Sequence, residues 1–303
     1  MDRFTAKEPS TLIEVLQLMF PQSSTNKLRK MLSGSRVTVN GEIQHRAKHE
    51  IAQGDEVALG TKAMETVPKN KRPPTHDPRL KILFEDESML VVVKPAHILS
   101  VATDKLEITT LHSWCVEHLR HENPKAWAYI VHRLDRETSG IMVLAKTKTA
   151  KEALQEQFAQ REVHRTYMAL VEGDLEPPQG TVRTWLLEDK NLNVKAVNAR
   201  HPQGKEAISH YNTVSVEPNG TLVEVMIETG RRHQIRMAMQ HLNAPIVGDG
   251  RHGSTTNPHQ RLMLHAHALE FLHPDTDDPV RFEAPIPPSF RSKAPEIHDE
   301  HTT

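Results

Sequence analysis

Residues 132–140 read His-Arg-Leu-Asp-Arg-Glu-Thr-Ser-Gly, and the apolar segment Ile141–Ala145 follows them directly. The segment predicts a buried strand, because a short continuous apolar run beside turn residues is typical of one. The preceding residues then form a turn that holds Asp135 at a loop edge, between Arg133 and Arg136. On charge alone, a structural ion pair or a cap is the better interpretation, since a carboxylate beside arginines usually just stays ionised.

Five further blocks along the chain combine an apolar strand pattern with a short polar sequence. In chain order they are Glu85-Asp-Glu87 leading into Val91-Val-Val-Lys-Pro-Ala96, Val163-His-Arg-Thr-Tyr-Met-Ala-Leu-Val-Glu-Gly173, Thr229-Gly-Arg-Arg-His-Gln-Ile-Arg236 with Pro245-Ile-Val-Gly-Asp249, Leu264-His-Ala266, and Ala284-Pro-Ile-Pro287. One such block would be a weak signal, but the whole series in one order is difficult to obtain by chance.

With residues 132–140, this series resembles the RluA/RluD-type RNA pseudouridine synthases over nearly the whole chain, from Thr11 to Phe290. The resemblance implies an α+β fold whose catalytic domain is built on a mixed or antiparallel sheet. It also implies the activity, in which uracil within RNA is detached from its sugar, rotated and rejoined through carbon. Nothing is oxidised and nothing leaves, so neither a redox cofactor nor a metal is expected.

The resemblance implies three catalytic residues. Asp135 matches the aspartate nucleophile of the family, and its ordinary pKa of ~3.9 keeps it ionised at neutral pH. Attack on the sugar, attack on the base ring and prior removal of a sugar proton are all compatible with this assignment. Arg236 resembles the basic residue that pairs with the aspartate, with Arg231 as the second candidate. Tyr167 resembles the tyrosine that stacks on the flipped uracil and is proposed to assist proton transfer at carbon 5.

Other residues of the same blocks are expected to contact RNA. Arg133 resembles the arginine that fills the space left in the helix by a flipped base, and His132 and Arg231 are predicted to bind RNA with it. Unstacking a base costs least in loops, so loop uridines are the natural targets. Without the resemblance, Tyr167 would be interpreted as an ordinary half-buried strand tyrosine.

Three positions depart from the usual family pattern. Arg232 stands where a second threonine is usual, Met237-Ala238 replaces Val-His, and His252 stands where a tyrosine is usual. None of them is the nucleophile, the tyrosine or the orienting arginine. The departures therefore bear on substrate details more than on activity.

The first sixty residues predict a separate small unit. An apolar face recurs over residues 11–20, and Thr11 with Glu14 makes a capping box at the start of that helix. A second helix is predicted over residues 24–32 and a strand over 36–39, and Asn40-Gly41 is a strong hairpin turn signal. This order resembles the αL-type RNA-binding domain shared with a small-subunit ribosomal protein.

The same unit is locally basic. Its residues predicted to bind RNA phosphates are Lys27, Arg29, Lys30 and Arg36. A solvated charged face is the alternative that charge alone would favour. Phosphate contacts supply affinity and register but not base identity, so the unit is expected to hold RNA without doing chemistry.

The predicted organisation is an αL-type domain over residues 1–60, a linker over 61–79, a catalytic domain over 80–290 and a flexible tail over 291–303. The linker is assigned because it holds four prolines among basic residues and shows no periodicity. Within the catalytic domain, strands are predicted over 89–93, 141–145, 166–171 and 222–227, and helices over 110–119, 149–158 and 235–242. Thr149 with Glu152 is predicted to cap the second of these helices.

Composition narrows the class of protein. The formal net charge is −1, from 38 basic and 39 acidic residues, so RNA affinity must come from local patches. The one cysteine, Cys115, excludes an internal disulfide and fits a reducing compartment. No apolar run approaches ~18 residues and residues 1–20 lack the features of a signal peptide, so neither a membrane span nor secretion is expected. A cytoplasmic monomer is predicted.

Other functional classes account for fewer of the sequence motifs. Gly248, Gly250 and Gly253 match a dinucleotide-binding fingerprint, but turn-like residues follow in place of a helix. Familiar zinc spacings are missing despite 20 histidines, and Ser139 lacks the flanking glycines of a hydrolase elbow. The serious rival is a non-catalytic RNA-binding or ribosome-assembly protein of the same fold. The predicted RNA is large-subunit ribosomal RNA, with tRNA as the alternative.

Overall fold

The computed structural model describes residues 3–21, 23, 28, 31–32, 37–44, 46–59, 78–103, 107–190 and 192–291. Outside these residues lie the predicted RNA contacts Lys27, Arg29, Lys30 and Arg36, most of the predicted second helix and linker, and residues 292–303 of the predicted tail. The chain forms two compact units, one of residues 1–71, 148–163 and 270–281, the other of 72–147, 164–269 and 282–303. The domain bounds inferred from the sequence stay a prediction. None of the described helices is long and apolar enough to cross a membrane.

The first unit begins with short strands and the helix α1, as far as its residues are described. They are β1 (Arg3–Thr5), β2 (Ser10–Thr11), α1 (Leu12–Met19), β3 (Val37–Val39), β4 (Glu42–Ile43), β5 (Glu50–Ile51) and β6 (Glu56–Leu59). Strands β1, β6, β3 and β4 lie side by side in that order in an antiparallel sheet, and β2 pairs with β5. Leu12 and Leu16 of α1 share one buried apolar core with Val37 and Val57 of the sheet.

Two local predictions for this unit are confirmed. At the start of α1, the backbone N–H and the Oγ1 of Thr11 donate to Glu14 Oε2 at 2.8 and 2.7 Å. The turn between β3 and β4 has φ of 52° at Asn40 and 88° at Gly41. Positive φ at both central residues is what a type I′ turn requires, and asparagine and glycine adopt it at least cost.

The remaining strands form one large sheet. They are β7 (Lys81–Glu85), β8 (Met89–Lys94), β9 (Tyr129–Ile130), β10 (Ser139–Ala145), β11 (His164–Val171), β12 (Gln179–Glu188), β13 (Val194–Val197), β14 (Lys205–Glu217), β15 (Gly220–Ile227), β16 (Leu264–Leu272) and β17 (Pro279–Glu283). Their order is β13-β12-β14-β15-β11-β16-β10-β8-β7, with β9 on β10 and β17 on β16. The further helices of the described residues are α2 (Leu111–Glu122), α3 (Lys148–Ala159) and α4 (Gln234–His241). The predicted α+β fold with a mixed sheet is confirmed, since β10 runs parallel to β16 and antiparallel to β8.

Strand β10 lies inside this sheet, and every one of its residues is buried. A strand covered on both faces shows no polar alternation, which is why residues 141–145 read as a continuous apolar run. Gly140 has φ of 124°, and a Cβ on it would lie 2.2 Å from the carbonyl oxygen of Ala266 on β16. Only glycine lets the two backbones approach this closely. The close approach fixes the beginning of β10, and with it the end of the loop that carries Asp135.

The structure corrects some predicted elements. Thr149 is not the N-cap of α3, because the helix begins at Lys148 and Thr149 lies in its first turn. Helix α2 has a cap that was not predicted: Thr110 Oγ1 accepts from the Ser113 N–H at 3.0 Å. Strands β12, β13 and β14 were not predicted. Of the ten residues of β12, only Val182 and Leu186 are buried, so the strand carries little apolar periodicity.

Candidate active site

Asp135 lies on the loop between β9 and β10, and the backbone of this loop is held on both sides of the residue. Ser100 Oγ donates to the Leu134 carbonyl at 2.7 Å and accepts from the Leu134 N–H at 3.1 Å. Lys94 Nζ donates to the Arg136 carbonyl at 3.0 Å. The Thr138 N–H closes the turn onto the Asp135 carbonyl at 3.2 Å. The carboxylate itself is 28% exposed, so a rigid backbone presents a partly accessible acid.

Lys94, at the end of β8, is a fully buried cation at 0% exposure. Its Nζ also donates to the carbonyls of Pro95 at 2.9 Å and Ile98 at 2.7 Å. Three carbonyl acceptors match the three N–H bonds of an ammonium group. Burial lowers the pKa of Lys94 to about 7, while the charges of Asp135 and Glu137 act to raise it. The Lys-Pro turn thus places an amine that titrates near neutral pH close enough to Asp135 for their charges to interact.

Arg236, in the first turn of α4, is the arginine that the structure brings to Asp135. Its Nη1 lies 3.8 Å from Asp135 Oδ2. Its Nε and Nη2 donate to the two carboxylate oxygens of Asp249, each at 2.6 Å, and both side chains are buried. A bidentate pair fixes the plane of a guanidinium group. Asp249 therefore aims the third nitrogen of Arg236 at Asp135.

His233 lies immediately before α4, with a left-handed backbone at φ of 53°. Its Nε2 is 3.8 Å from Asp135 Oδ2, and its Nδ1 is 3.1 Å from His252 Nε2. Burial, together with the nearby Arg236 and His252, lowers the pKa of His233 to about 3. A neutral imidazole therefore faces the carboxylate at physiological pH.

Tyr167 on β11 is buried, and burial raises its pKa. The Asp135 charge also raises this pKa while Arg165 lowers it, so these three groups share one electrostatic environment. Arg165 Nη2 donates to the Glu228 carbonyl at 3.0 Å. A Cβ on Gly230 would lie 2.7 Å from Arg165 Nη1, so this arginine packs closely on the loop that precedes α4. Tyr167 is a neutral phenol at neutral pH.

Gln234 fastens the beginning of α4 to the sheet. Its Oε1 accepts from Thr229 Oγ1 at 2.7 Å and from the Arg231 N–H at 3.0 Å. Its Nε2 donates to the Ile208 carbonyl at 2.8 Å and to Ser209 Oγ at 3.1 Å. A buried amide with all these bonds satisfied rigidifies its surroundings. The positions of His233 and Arg236 on either side of it follow from this anchoring.

The structure places the predicted RNA contacts in different environments. Arg133 and Arg231 are exposed, and Arg231 Nε donates to the Glu206 carbonyl at 3.1 Å. His132 Nε2 accepts from the Val143 N–H at 3.1 Å, which ties this ring to β10. Burial, with a smaller effect of Arg165, lowers the pKa of His132 to about 3. A contact of His132 with RNA stays a prediction.

Four residues of the site were not identified from the sequence, namely Lys94, His233, Asp249 and His252. A signal was present, because Lys94 and Asp249 are charged residues that each end an apolar run, and His233 lies within the block 229–236. The contacts that these residues make with one another could not be predicted from the sequence. The partners in Arg236–Asp249 and His233–His252 are 13 and 19 residues apart, and the fold alone brings them together.

Comparisons with known proteins agree with this geometry. A sequence model described as RNA pseudouridylate synthase matches residues 88–241. The ribosomal large subunit pseudouridine synthase D of Xanthomonas campestris pv. campestris is 33% identical over 291 residues, covering 90% of this chain and 84% of the relative. The protein of the same name from Xylella fastidiosa is 35% identical over 301 residues, with the same two coverages. The solved structure of human RNA pseudouridylate synthase domain containing 4 superposes with a TM-score of 0.58 and 25% identity, covering 69% of this chain and 90% of that one.

The matched region contains Asp135, Tyr167, His233 and Arg236, so the loop carboxylate and the two groups nearest to it lie within the part of the sequence that is typical of the family. The similarity to the two bacterial relatives extends over nine-tenths of the chain. The chain therefore belongs to the RNA pseudouridylate synthase family, whose members isomerise uridine in RNA to pseudouridine.

Proposed function

We propose that this enzyme isomerises specific uridines of large-subunit ribosomal RNA, with the carboxylate of Asp135 as the nucleophile. One observation carries the proposal: Asp135 is partly exposed on a rigid loop, and both Arg236 and His233 lie 3.8 Å from its Oδ2. The RNA class is supported by the two bacterial relatives, which are named for the large ribosomal subunit.

The neighbours of Asp135 suit this chemistry. An adjacent guanidinium favours the ionised form of a carboxylate, and ionisation is what a nucleophile needs. Tyr167 offers the face of a neutral phenol to a flipped uracil. When carbon 5 bonds to the sugar it loses a proton and N1 gains one, and the Tyr167 hydroxyl can relay this transfer by accepting one proton as it releases its own. Arg133 is exposed beside the nucleophile, where it can fill the space left by the base. The uracil is only moved from one attachment atom to another, so the reaction requires no redox cofactor and no metal.

The N-terminal part of the chain is assigned to RNA binding. In this proposal, residues 1–60 form an αL-type domain that holds RNA phosphates through Lys27, Arg29, Lys30 and Arg36. The small antiparallel sheet, the capped α1 and the Asn40-Gly41 turn support it. Residues 80–290 carry out the isomerisation, and the enzyme acts as a cytoplasmic monomer.

The test is pseudouridine mapping of ribosomal RNA, by carbodiimide adducts and reverse-transcription stops, in cells with and without the gene. We expect discrete stops in large-subunit RNA to vanish without the gene and to return with the wild-type enzyme. Asp135→Asn should fail to restore them. Glu137→Gln is the matched control, because it removes a carboxylate from the same loop, and it should restore them.

Each other outcome changes the conclusion in a defined way. Restoration by Asp135→Asn would reject the nucleophile. Loss of stops in tRNA, with ribosomal RNA unaffected, would replace the substrate class. Identical maps, together with tight RNA binding by the purified protein, would favour a non-catalytic RNA-binding protein of this fold.

A further inference from the structure

One short turn holds both groups that face Asp135. The turn runs from Asp249 to His252 and is closed by the His252 N–H, which donates to the Asp249 carbonyl at 2.9 Å. Asp249, at its beginning, binds Arg236 through two hydrogen bonds. His252, at its end, contacts His233. The turn therefore positions both the charged Arg236 and the neutral His233 beside the carboxylate of Asp135.

The contact between the two histidines determines where their protons lie. His233 Nδ1 and His252 Nε2 are 3.1 Å apart, so one nitrogen carries a proton and the other accepts it. If His233 were the donor, its Nε2 lone pair would face the Asp135 carboxylate at 3.8 Å, which is repulsive. If His252 is the donor, His233 carries its proton on Nε2 and presents an N–H to the carboxylate, which is attractive.

A positive charge on either ring is opposed by the surroundings. Burial, together with Arg236 on α4, His252 and Arg251 in the turn and Arg232 on the preceding loop, lowers the pKa of His233 to about 3. Burial, Arg236 and Arg251 also lower the pKa of His252, although Asp249 and Asp135 act to raise it. Both rings are neutral at neutral pH, so the pair has one bridging proton.

We propose that His252 and His233 form a neutral donor–acceptor pair that positions the carboxylate of Asp135 for reaction. His252 Nε2–H donates to His233 Nδ1, and this directs His233 Nε2–H at Asp135 Oδ2. Both histidines are positioning residues, and the inference rests on the proposed function because it takes Asp135 as the nucleophile. The donor is a residue of this chain that stands where the family usually has tyrosine.

The arrangement also distinguishes the two oxygens of Asp135. Arg236 Nη1 and His233 Nε2 both approach Oδ2, at 3.8 Å each. This separation is longer than a hydrogen bond, so the contacts are electrostatic in the free enzyme. Hydrogen bonds of catalytic groups are often long without substrate and shorten when it binds. Two donors converging on Oδ2 would leave Oδ1 as the attacking oxygen.

The tautomer can be measured on the full-length protein at neutral pH by long-range 1H–15N correlation of 15N-labelled histidine rings. The signals of His233 are those lost in His233→Gln. We expect a protonated Nε2 and an unprotonated Nδ1, and an Nε2 shift that changes in Asp135→Asn. A proton on His233 Nδ1, in a neutral or a charged ring, would overturn the inference.

Two substitutions of the donor test its effect on the reaction. His252→Gln keeps an N–H donor of similar reach, whereas His252→Leu removes it. We expect His252→Leu to lower the single-turnover rate about five- to tenfold, with the RNA dissociation constant within about twofold, because a neutral hydrogen bond is worth about that factor. His252→Gln should recover most of the rate. His241→Leu, at the exposed end of α4, should keep the wild-type rate.

The two proposals fail on different measurements. Equal rates for His252→Leu and His252→Gln would overturn the role of the pair. If His252→Leu does not fold, the tautomer spectrum of the wild-type protein still decides the inference. Activity retained by Asp135→Asn would reject the nucleophile of the proposed function, whereas the ring signals of His233 report on the pair regardless of activity.

Discussion

Arg236 contributes to the site by its shape as well as by its charge. Two of its nitrogens bind the buried Asp249, and the third approaches Asp135 Oδ2. A lysine at this position would carry the same charge on a single nitrogen, which cannot bind both oxygens of Asp249 and face Asp135 together.

We therefore expect Arg236→Lys to lower the single-turnover rate by at least about 100-fold, because a positioning contact and a buried bidentate pair are lost together. RNA affinity should change by less than about threefold, since Arg236 is buried and the phosphate contacts are proposed to lie within residues 1–60. Arg183→Lys is the control, because Arg183 is an exposed arginine paired with Glu206. A rate close to wild type in Arg236→Lys would show that charge alone is sufficient.

Single residues differ in how much of their role can be predicted. The sequence predicts three catalytic residues from the resemblance of their motifs to a family, namely Asp135, Tyr167 and Arg236. The structure brings all three into one region. His252 was noticed only as a departure from the family pattern. Its contact with His233 depends on a left-handed backbone at His233 and on the turn that begins at Asp249, neither of which a local pattern reveals.

At the scale of elements, strand β10 depends on Gly140. A Cβ at this position would lie 2.2 Å from a carbonyl oxygen of β16, on a backbone with φ of 124°. Neither the backbone of β16 nor this φ can relax cheaply, because β16 is itself paired within the sheet.

Gly140→Ala is expected to destabilise the protein by about 3 kcal/mol or more, because overpacking and a strained φ act together. Gly250→Ala is the matched control: a Cβ there meets nothing within 4 Å, and a change within about 0.5 kcal/mol is expected. Urea unfolding of the two variants measures the difference. Equal stabilities would contradict the close approach of β10 and β16.

The elements also show where sequence patterns are informative. The bounds of α1 were predicted to within about one residue, because the Thr11–Glu14 capping box marks where the helix begins. Helix α2 continues to Glu122, beyond its predicted end at Leu119. The cap at Thr149 was wrong because α3 starts at the lysine before it. Strands β12 and β14 were missed because exposed and half-buried residues dominate them, so their pairing rather than their own apolar pattern defines them.

At the scale of the whole molecule, buried neutral histidines make stability depend on pH. Burial is the first cause that lowers the pKa of His132 and His233 to about 3 and that of His265 to about 4. An unfolded histidine has a pKa near 6.5. Between these values the unfolded chain binds protons that the native chain does not, so stability falls as the pH falls.

We expect the free energy of unfolding to decrease steadily from about pH 6.5 to about pH 4.5, by up to about 1.4 kcal/mol per pH unit for each such histidine, and the urea midpoint to decrease with it. His265→Asn should reduce the slope of the unfolding free energy against pH, because unfolding then takes up one proton fewer. The measurement is a series of urea titrations across this range. A midpoint that does not change over it would contradict neutral buried histidines.

The proposed RNA-binding domain predicts a different dependence, on salt. Replacing Lys27, Arg29, Lys30 and Arg36 by glutamine in the full chain should flatten the plot of log affinity against log salt by up to about 0.7 per lost contact. Single-turnover rates at saturating enzyme should stay close to wild type, because the catalytic groups are unaffected. Filter binding over a salt series measures the slope, and an unchanged slope would remove these residues from the RNA contacts.

The pairing of β10 with β16 has a consequence for the timing of synthesis. Ser139 Oγ shares a hydrogen bond with His265 Nδ1, a partner 126 residues further along the chain. At ~5–20 residues per second, translation needs roughly 6–25 s to pass from one to the other. During that interval the nascent chain already carries Asp135, but the strand that fixes its loop has not been made. We therefore expect the enzyme to act only after translation has passed β16, so a nascent chain that ends before Leu264 should be unable to modify RNA.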